Sequence, residues 1–263
     1  MYQDDHFSAV LGPYRFIAYG VVLVLIVIEG YWSWRQNKAE YQLKESLSNT
    51  VILLGYITSK IVSFGYHLLV LRFVSGLIPY HLPVTIPVVI LTFILTDLCF
   101  YWYHRLSHQV KFLWAFHVTH HSSQHMNLTT AYRINWFSAV ILPYFFIPAV
   151  LLGCSPLVIL LGYQANLFYQ FFMHTEAIGK IPFVEGVINT PSAHRVHHGS
   201  NPIYLDKNYG GVFMIWDRIF GTYEPETEPV RYGVTTGFVS YNPFIIIFHG
   251  FVDLVKGKMN YKG

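Results

Sequence analysis

The residues of this chain that could do chemistry are its histidines. There are 14 among 263 residues, as many as Asp and Glu together, and ten of them fall in the windows 104–125 and 174–198. His104-Arg-Leu-Ser-His108 places two imidazoles four residues apart. His117-Val-Thr-His120-His121 and His194-Arg-Val-His197-His198 use one spacing twice. Residues three and four apart share a helix face, so each pattern aims two or three imidazoles at one point. Neutral imidazole binds zinc, copper, iron or nickel, so ligand type does not choose the metal. The eight histidines of these patterns exceed the roughly four ligands of one zinc and suit two metals. His174, at the mouth of an apolar run, is a ninth candidate ligand.

Four further residues are candidates to orient the ligands: Asp97, His125, Asn166 and Asn208. Asp97 lies on an apolar run ahead of His104, where a carboxylate is costly without a purpose; pairing or capping is the competing role. His125 follows His121 by four residues and continues its face. Glu176, Asp206 and Asp217 are the other acids near the patterns. His6, His67, His81 and His249 stand alone and read as structural.

The elements that position these residues are apolar. The chain is 53% hydrophobic, 18% aromatic and 12% charged, against about 25% charged in an ordinary soluble domain. That composition excludes disorder. With two cysteines, a disulfide scaffold is excluded as well. The net charge of +3 carries no basic cluster, so no nucleic-acid partner is expected. A membrane-spanning helix needs about 20 apolar residues. Five runs approach that length: 16–31, 51–74, 84–103, 137–152 and 157–173. The last two, joined by Gly153-Cys154-Ser155-Pro156, read as a helical hairpin over 137–173. Basic residues follow the first, third and fifth runs, which places the N-terminus outside and both histidine windows on the cytoplasmic face. The acidic start argues against a cleavable leader.

The expected fold is an all-α integral membrane protein with four to five transmembrane helices and a cytosolic helical cap that holds a poly-His dimetal site. Residues 1–95 supply N-terminal transmembrane helices, 96–223 the histidine-bearing unit, and 224–263 a tail. In the tail, Glu224-Pro-Glu-Thr-Glu-Pro reads as a solvated loop and Pro243-Phe-Ile-Ile-Ile-Phe as an interfacial helix. Arg105 and Arg195 read as interfacial residues with charged tips in water. Trp102, Trp114, Phe116, Tyr132, Trp136, Phe168 and Tyr169 are candidates for a substrate channel or for helix packing.

From Thr96 to Tyr223 the sequence resembles the fatty acid hydroxylase / sterol desaturase superfamily of membrane di-iron oxygenases. The segments Asp97-Leu-Cys-Phe-Tyr-Trp-Tyr-His104, Trp114-Ala-Phe-His117, His194-Arg-Val-His197-His198-Gly-Ser-Asn201, Asp206-Lys-Asn208-Tyr-Gly210-Gly and Trp216-Asp217 carry the likeness. His-His-Ser-Ser followed by Asn127-Leu-Thr-Thr-Ala131 is similar to the bacterial sterol-desaturase-like and alkylglycerol monooxygenase branch. Gln124 and His125 depart from it, since that branch tends to have acids there. The resemblance implies two iron ions held by His104, His108, His117, His120, His121, His174, His194, His197 and His198. It also implies O2, a lipid substrate, and hydroxylation or desaturation of an unactivated C–H bond. An external electron donor follows, either a protein such as cytochrome b5 or a ferredoxin, or a tetrahydrobiopterin. Short loops and no retention signal favour a bacterial inner membrane over the endoplasmic reticulum. The competing reading is a membrane-surface zinc hydrolase with Glu176 as base, although no His-Glu-x-x-His motif occurs. A metal transporter would place its histidines at mid-membrane, not at the ends of the runs.

Overall fold

The computed structural model describes residues 4–259, with side chains from residue 20 onward. His6 and the start of the first apolar run therefore lie outside the described side chains. The described residues form helices α1 (Asp4–Arg35), α2 (Leu43–Ser75), α3 (Ile86–Gln109), α4 (Lys111–His121), α5 (Leu142–Phe145), α6 (Ile147–Leu151), α7 (Pro156–Phe171), α8 (Pro191–His197), α9 (Ile215–Ile219) and α10 (Pro243–Val255). Two 3-10 turns, Leu128–Tyr132 and Ser138–Val140, stand between α4 and α5. Among the described residues there are only isolated β-bridges and no strand.

Helices α2 and α3 are long and apolar enough to cross a membrane. At about 1.5 Å per residue, their 33 and 24 residues exceed a hydrocarbon core of about 30 Å. Large apolar side chains stand uncovered on α2, with Ile61 and Val62 each 76% exposed. Such a face matches hydrocarbon, not water. The run 137–152 is not one helix. Pro143 and Pro148 each remove a backbone donor, and the run breaks into a 3-10 turn and the short α5 and α6. Its partner α7 has 16 residues, about 24 Å. The expected hairpin is thus a broken limb returning along a short helix, held at its base by Leu82 N–H donating to the Gly153 carbonyl.

The core between the long helices is apolar: Leu71 of α2, Phe100 of α3, Leu142 of α5 and Phe146 just after it, Val150 of α6, and Ile159, Leu160 and Tyr163 of α7. Helices α3 and α4 are separated by one residue, Val110, whose extended backbone ends one helix and begins the next. That sharp break folds α4 back beside the end of α3. Against α4 lies α10, the segment expected on the membrane surface. Its Ile246 and Ile247 are fully buried, while Phe244, Ile245, Phe248 and Val255 stay exposed. One face is docked on protein and the other remains apolar and open.

The acidic stretch 224–228 is a surface loop, with Pro225, Thr227 and Glu228 exposed, but its acids are tied down. Glu224 N–H donates to Asn208 Oδ1 at 2.9 Å, Glu226 pairs with Arg195, and Glu228 Oε1 accepts from Asn201 Nδ2 at 2.6 Å. The stretch is a strap across α8.

Candidate metal centre

Three helices and one loop carry the imidazoles. The C-terminal turns of α3 present His104 and His108, and the facing turns of α4 present His117, His120 and His121. His194 and His197 lie on α8, and His198 ends it. This short helix is set by Pro191 in its first turn and by Thr190, whose hydroxyl accepts from Ala193 N–H, an N-cap that satisfies an otherwise orphaned donor. His174 follows α7.

The nine imidazoles sort into two adjacent groups. One contains His104, His108, His117, His121 and His197; the other contains His120, His174, His194 and His198; within each, one nitrogen per residue lies within 4.8 Å of all the others. The groups touch through His121 and His198, whose rings stack with centroids 4.5 Å apart. No carboxylate belongs to either group.

The ring nitrogens divide their roles. His104 Nδ1 donates to the Tyr209 carbonyl at 2.8 Å, His174 Nδ1 to the Gln170 carbonyl at 2.8 Å, and His197 Nδ1 to the Lys207 carbonyl at 3.1 Å. A carbonyl only accepts, so the proton sits on Nδ1 and the lone pair on Nε2 points inward. Inside, His104 and His117 Nε2 are 3.0 Å apart, His121 and His117 Nε2 3.1 Å, His120 and His174 Nε2 3.2 Å, and His174 and His194 Nε2 3.0 Å. Such spacings suit neighbouring ligands on a metal with bonds of about 2.1 Å. Buried Nε2 atoms of His108, His197 and His198 have no hydrogen-bond partner. Convergent lone pairs and orphaned buried nitrogens are costly without a cation, so the residues present fit bound metal. Burial, with added repulsion from neighbouring imidazoles, pushes His117, His120, His121, His194, His197 and His198 well below the usual histidine range. Burial takes His174 down to about 4. The set is held neutral, the form that binds metal.

The four residues expected to orient ligands do not hydrogen-bond an imidazole of the cluster. Asp97 accepts from Val212 N–H at 2.8 Å, Phe213 N–H at 3.1 Å, Trp216 Nε1 at 2.9 Å and Asn166 Nδ2 at 2.5 Å. A carboxylate on an apolar helix thus anchors the segment that follows the third histidine pattern. Asn166 accepts from Gln170 Nε2; it sits behind the residue whose carbonyl holds His174. Asn208, with a left-handed φ of +58°, joins α8 to the strap through Ala193 O at 3.0 Å and Glu224 O at 2.8 Å. His125 lies apart from both groups, 3.8 Å from Glu40 and 3.7 Å from Glu45.

Other residues take the orienting role. Asp217 accepts from Tyr209 N–H at 2.8 Å and Gly210 N–H at 2.7 Å, fixing the residue whose carbonyl orients His104. Glycine is required at 210 and 211: a Cβ at Gly210 would meet Phe213 O at 2.5 Å, and one at Gly211 would meet Asn166 Nδ2 at 2.4 Å. Asp206 is the nearest carboxylate to a ligand candidate, 4.0 Å from His108 Nδ1. Arg195 does not reach water. It pairs with Glu226 at 2.7 Å and donates to the carbonyls of Thr175 and Ile178, tying α8 to the His174 loop and the strap. Arg105 lies over the Trp102 ring and donates to the Tyr101 hydroxyl. Buried Arg133, which pairs with Glu45 at 3.1 Å and donates to Ser122 at 2.8 Å, locks the end of α4 to α2. Glu45 left no periodic signal beyond an acid in the first turn of a long helix.

Of the aromatic residues, Trp114 is buried against His108 and His121 at 5.1 and 5.5 Å. Trp136 donates to the Ile52 carbonyl and Tyr169 to the Asn189 carbonyl, both in packing. Phe168 and Trp102 are half exposed. Tyr209, fully buried, walls the first group 5.2 Å from His108. Glu176, the base required for hydrolysis, accepts from the Tyr232 hydroxyl.

The same region is what known proteins share with this chain. The fatty acid hydroxylase family profile matches residues 89–222. The human alkylglycerol monooxygenase is 45% identical over 157 residues, 60% of this chain and 35% of that protein. The ornithine lipid hydroxylase of Rhizobium tropici is 29% identical over 143 residues, 54% of this chain and 43% of that protein. The human cholesterol 25-hydroxylase is 25% identical over 231 residues, 81% of this chain and 82% of that protein. The chain spans about a third of the length of the alkylglycerol monooxygenases it matches. No solved structure matches. With its profile covering half the chain and every histidine of both groups inside 89–222, the chain belongs to the fatty acid hydroxylase family.

Proposed function

We propose that this chain is a multi-pass membrane enzyme that uses two iron ions and O2 to hydroxylate or desaturate a lipid. The nine histidines, five in one group and four in the other, are its ligands. The observation that carries the reading is the pair of all-imidazole groups in a buried cap at the ends of apolar helices. Iron bound there supplies activation of O2 toward an unactivated C–H bond, a step that imidazole alone cannot perform. Alkylglycerol, cholesterol and ornithine lipid are the substrates named for its relatives, and a lipid is the shared chemistry.

The chain's own residues bind and orient. Tyr209, Gln170 and Lys207 carbonyls hold Nδ1 protons so that Nε2 lone pairs face inward. Trp114 and Tyr209 close the wall of the first group, which keeps water from it. The strap and Arg195 hold α8 in place. Residues 1–95 supply membrane helices, 96–223 the catalytic unit and 224–263 the tail. The centre faces the cytoplasm of a bacterial inner membrane, where a separate donor supplies electrons.

The test is metal content after growth with iron, with a His120→Ala His121→Ala variant in parallel. About two irons per chain, with a loss of at least one in the variant, is the expected result, followed by O2 uptake on adding the right lipid. The variant takes one imidazole from each group, so both metals are weakened. One zinc and no iron would move the reading to hydrolysis.

A further inference from the structure

Lysine inside a membrane helix is costly and asks for a reason. Lys60 lies on α2, one residue before the exposed Ile61 and Val62. Its ammonium donates to Gln164 of α7 and sits 5.8 Å from the Tyr56 ring. Both partners are neutral. The two helices, with the end of α3 and residues 138–142, enclose a cleft, and Lys60 and Gln164 line it with Tyr56, Ser63, Tyr103 and Tyr163. None of the 11 residues lining the cleft is acidic. A lysine held by an amide, in a cleft lined by tyrosine and serine hydroxyls and no carboxylate, offers the donors that an anion would need.

The cleft is also close to the metal centre. Tyr103 precedes His104 on α3, and Phe100 links the cleft wall to the centre, 6.2 Å from Tyr163 and 5.3 Å from His104 by ring centroids. Side chains on a helix tilt toward its N-terminus. The N-terminal part of α2 is the part tied to α4 through Glu45 and Arg133, so Lys60 reaches back toward the histidine cap. A head held there would leave its chain among the apolar helices beside the centre.

We infer that this cleft binds the anionic head of a lipid, a carboxylate or a phosphate, through the Lys60 ammonium and the surrounding hydroxyls. Assigning that lipid as the one oxidised rests on the reading above; the binding itself does not. The experiment is equilibrium binding of tritiated palmitate, hexadecyl phosphate and hexadecanol to the full chain in dodecyl maltoside, with iron content measured on the same samples. Wild type is expected to bind at least one of the two oxyanion lipids at least about tenfold more tightly than hexadecanol. Lys60→Gln should weaken that binding by about tenfold and leave hexadecanol and iron content unchanged, while Lys60→Arg stays within about threefold of wild type. A preference for palmitate points to a free fatty acid, and one for the phosphate to a phospholipid head. Equal affinity of wild type for all three lipids, or undiminished oxyanion binding by Lys60→Gln, overturns the inference. If Lys60→Gln does not fold, a Tyr56→Phe Ser63→Ala variant carries the test, and unchanged oxyanion affinity there is equally fatal. Missing iron with intact oxyanion binding counts against the metal centre alone.

Discussion

Asp97 gathers four donors from three places: α7, the 212–213 backbone and α9. It hydrogen-bonds no histidine, but the segment it holds begins three residues after Tyr209, whose carbonyl orients His104. Asp97→Asn keeps the shape but turns an amide toward donors, leaving at least one buried N–H unmet. That should cost about 1–3 kcal/mol and lower iron per chain, read by thermal unfolding and metal analysis on the same preparation. An Asn variant with wild-type melting and full iron would show that the carboxylate charge is not needed there. Asp97 was visible in the sequence as an acid on an apolar run. Its partners were not, because they lie 69 to 119 residues away and nothing local encodes which backbone donors a carboxylate will meet. Arg195 misled for the same reason. Beside two histidines it looked like an interfacial residue, and only the fold brings Glu226 to it.

At the scale of elements, the break at Val110 and the docking of α10 decide where the histidines of α4 point. Gly250 of α10 lies against α4 so closely that a Cβ would sit 2.5 Å from the Ala115 carbonyl and 2.7 Å from Val118 Cγ1. Gly250→Leu should therefore push the helices apart and cost about 1–3 kcal/mol, with weaker iron retention because Ala115 and Val118 flank His117. Unaltered melting and iron content would mean that α10 is not docked in the working protein. The sequence showed α10 as an apolar tail segment. Its two faces were not separable there, since nearly every residue from Pro243 to Val252 is apolar and no polar stripe marks the outer side. The run 137–152 erred in the other direction: composition gave it the look of a span, while Pro143 and Pro148 divide it.

Across the whole molecule, the metal centre is the meeting point of α3, α4, α8 and the His174 loop, so bound metal should stabilise the fold as well as serve chemistry. Chelator-stripped protein is expected to melt lower than the iron-loaded form and to recover on reloading with ferrous iron under argon. Identical melting curves would place the imidazoles in a cap that is stable without metal. The sequence by itself picked out the nine histidines that the fold gathers and the apolar character of the helices around them. Histidines repeated at helical spacing share a helix face, and two helices of the described residues are long and apolar enough to cross a membrane. It did not determine how nine imidazoles divide. The first group draws on all three patterns and the second on two of them plus His174. Spacing fixes which residues share a face of one helix, but which faces meet depends on the Val110 break, the Asp97 and Asp217 anchors and the strap over α8. Those are contacts between distant residues, and only the tertiary structure brings them together.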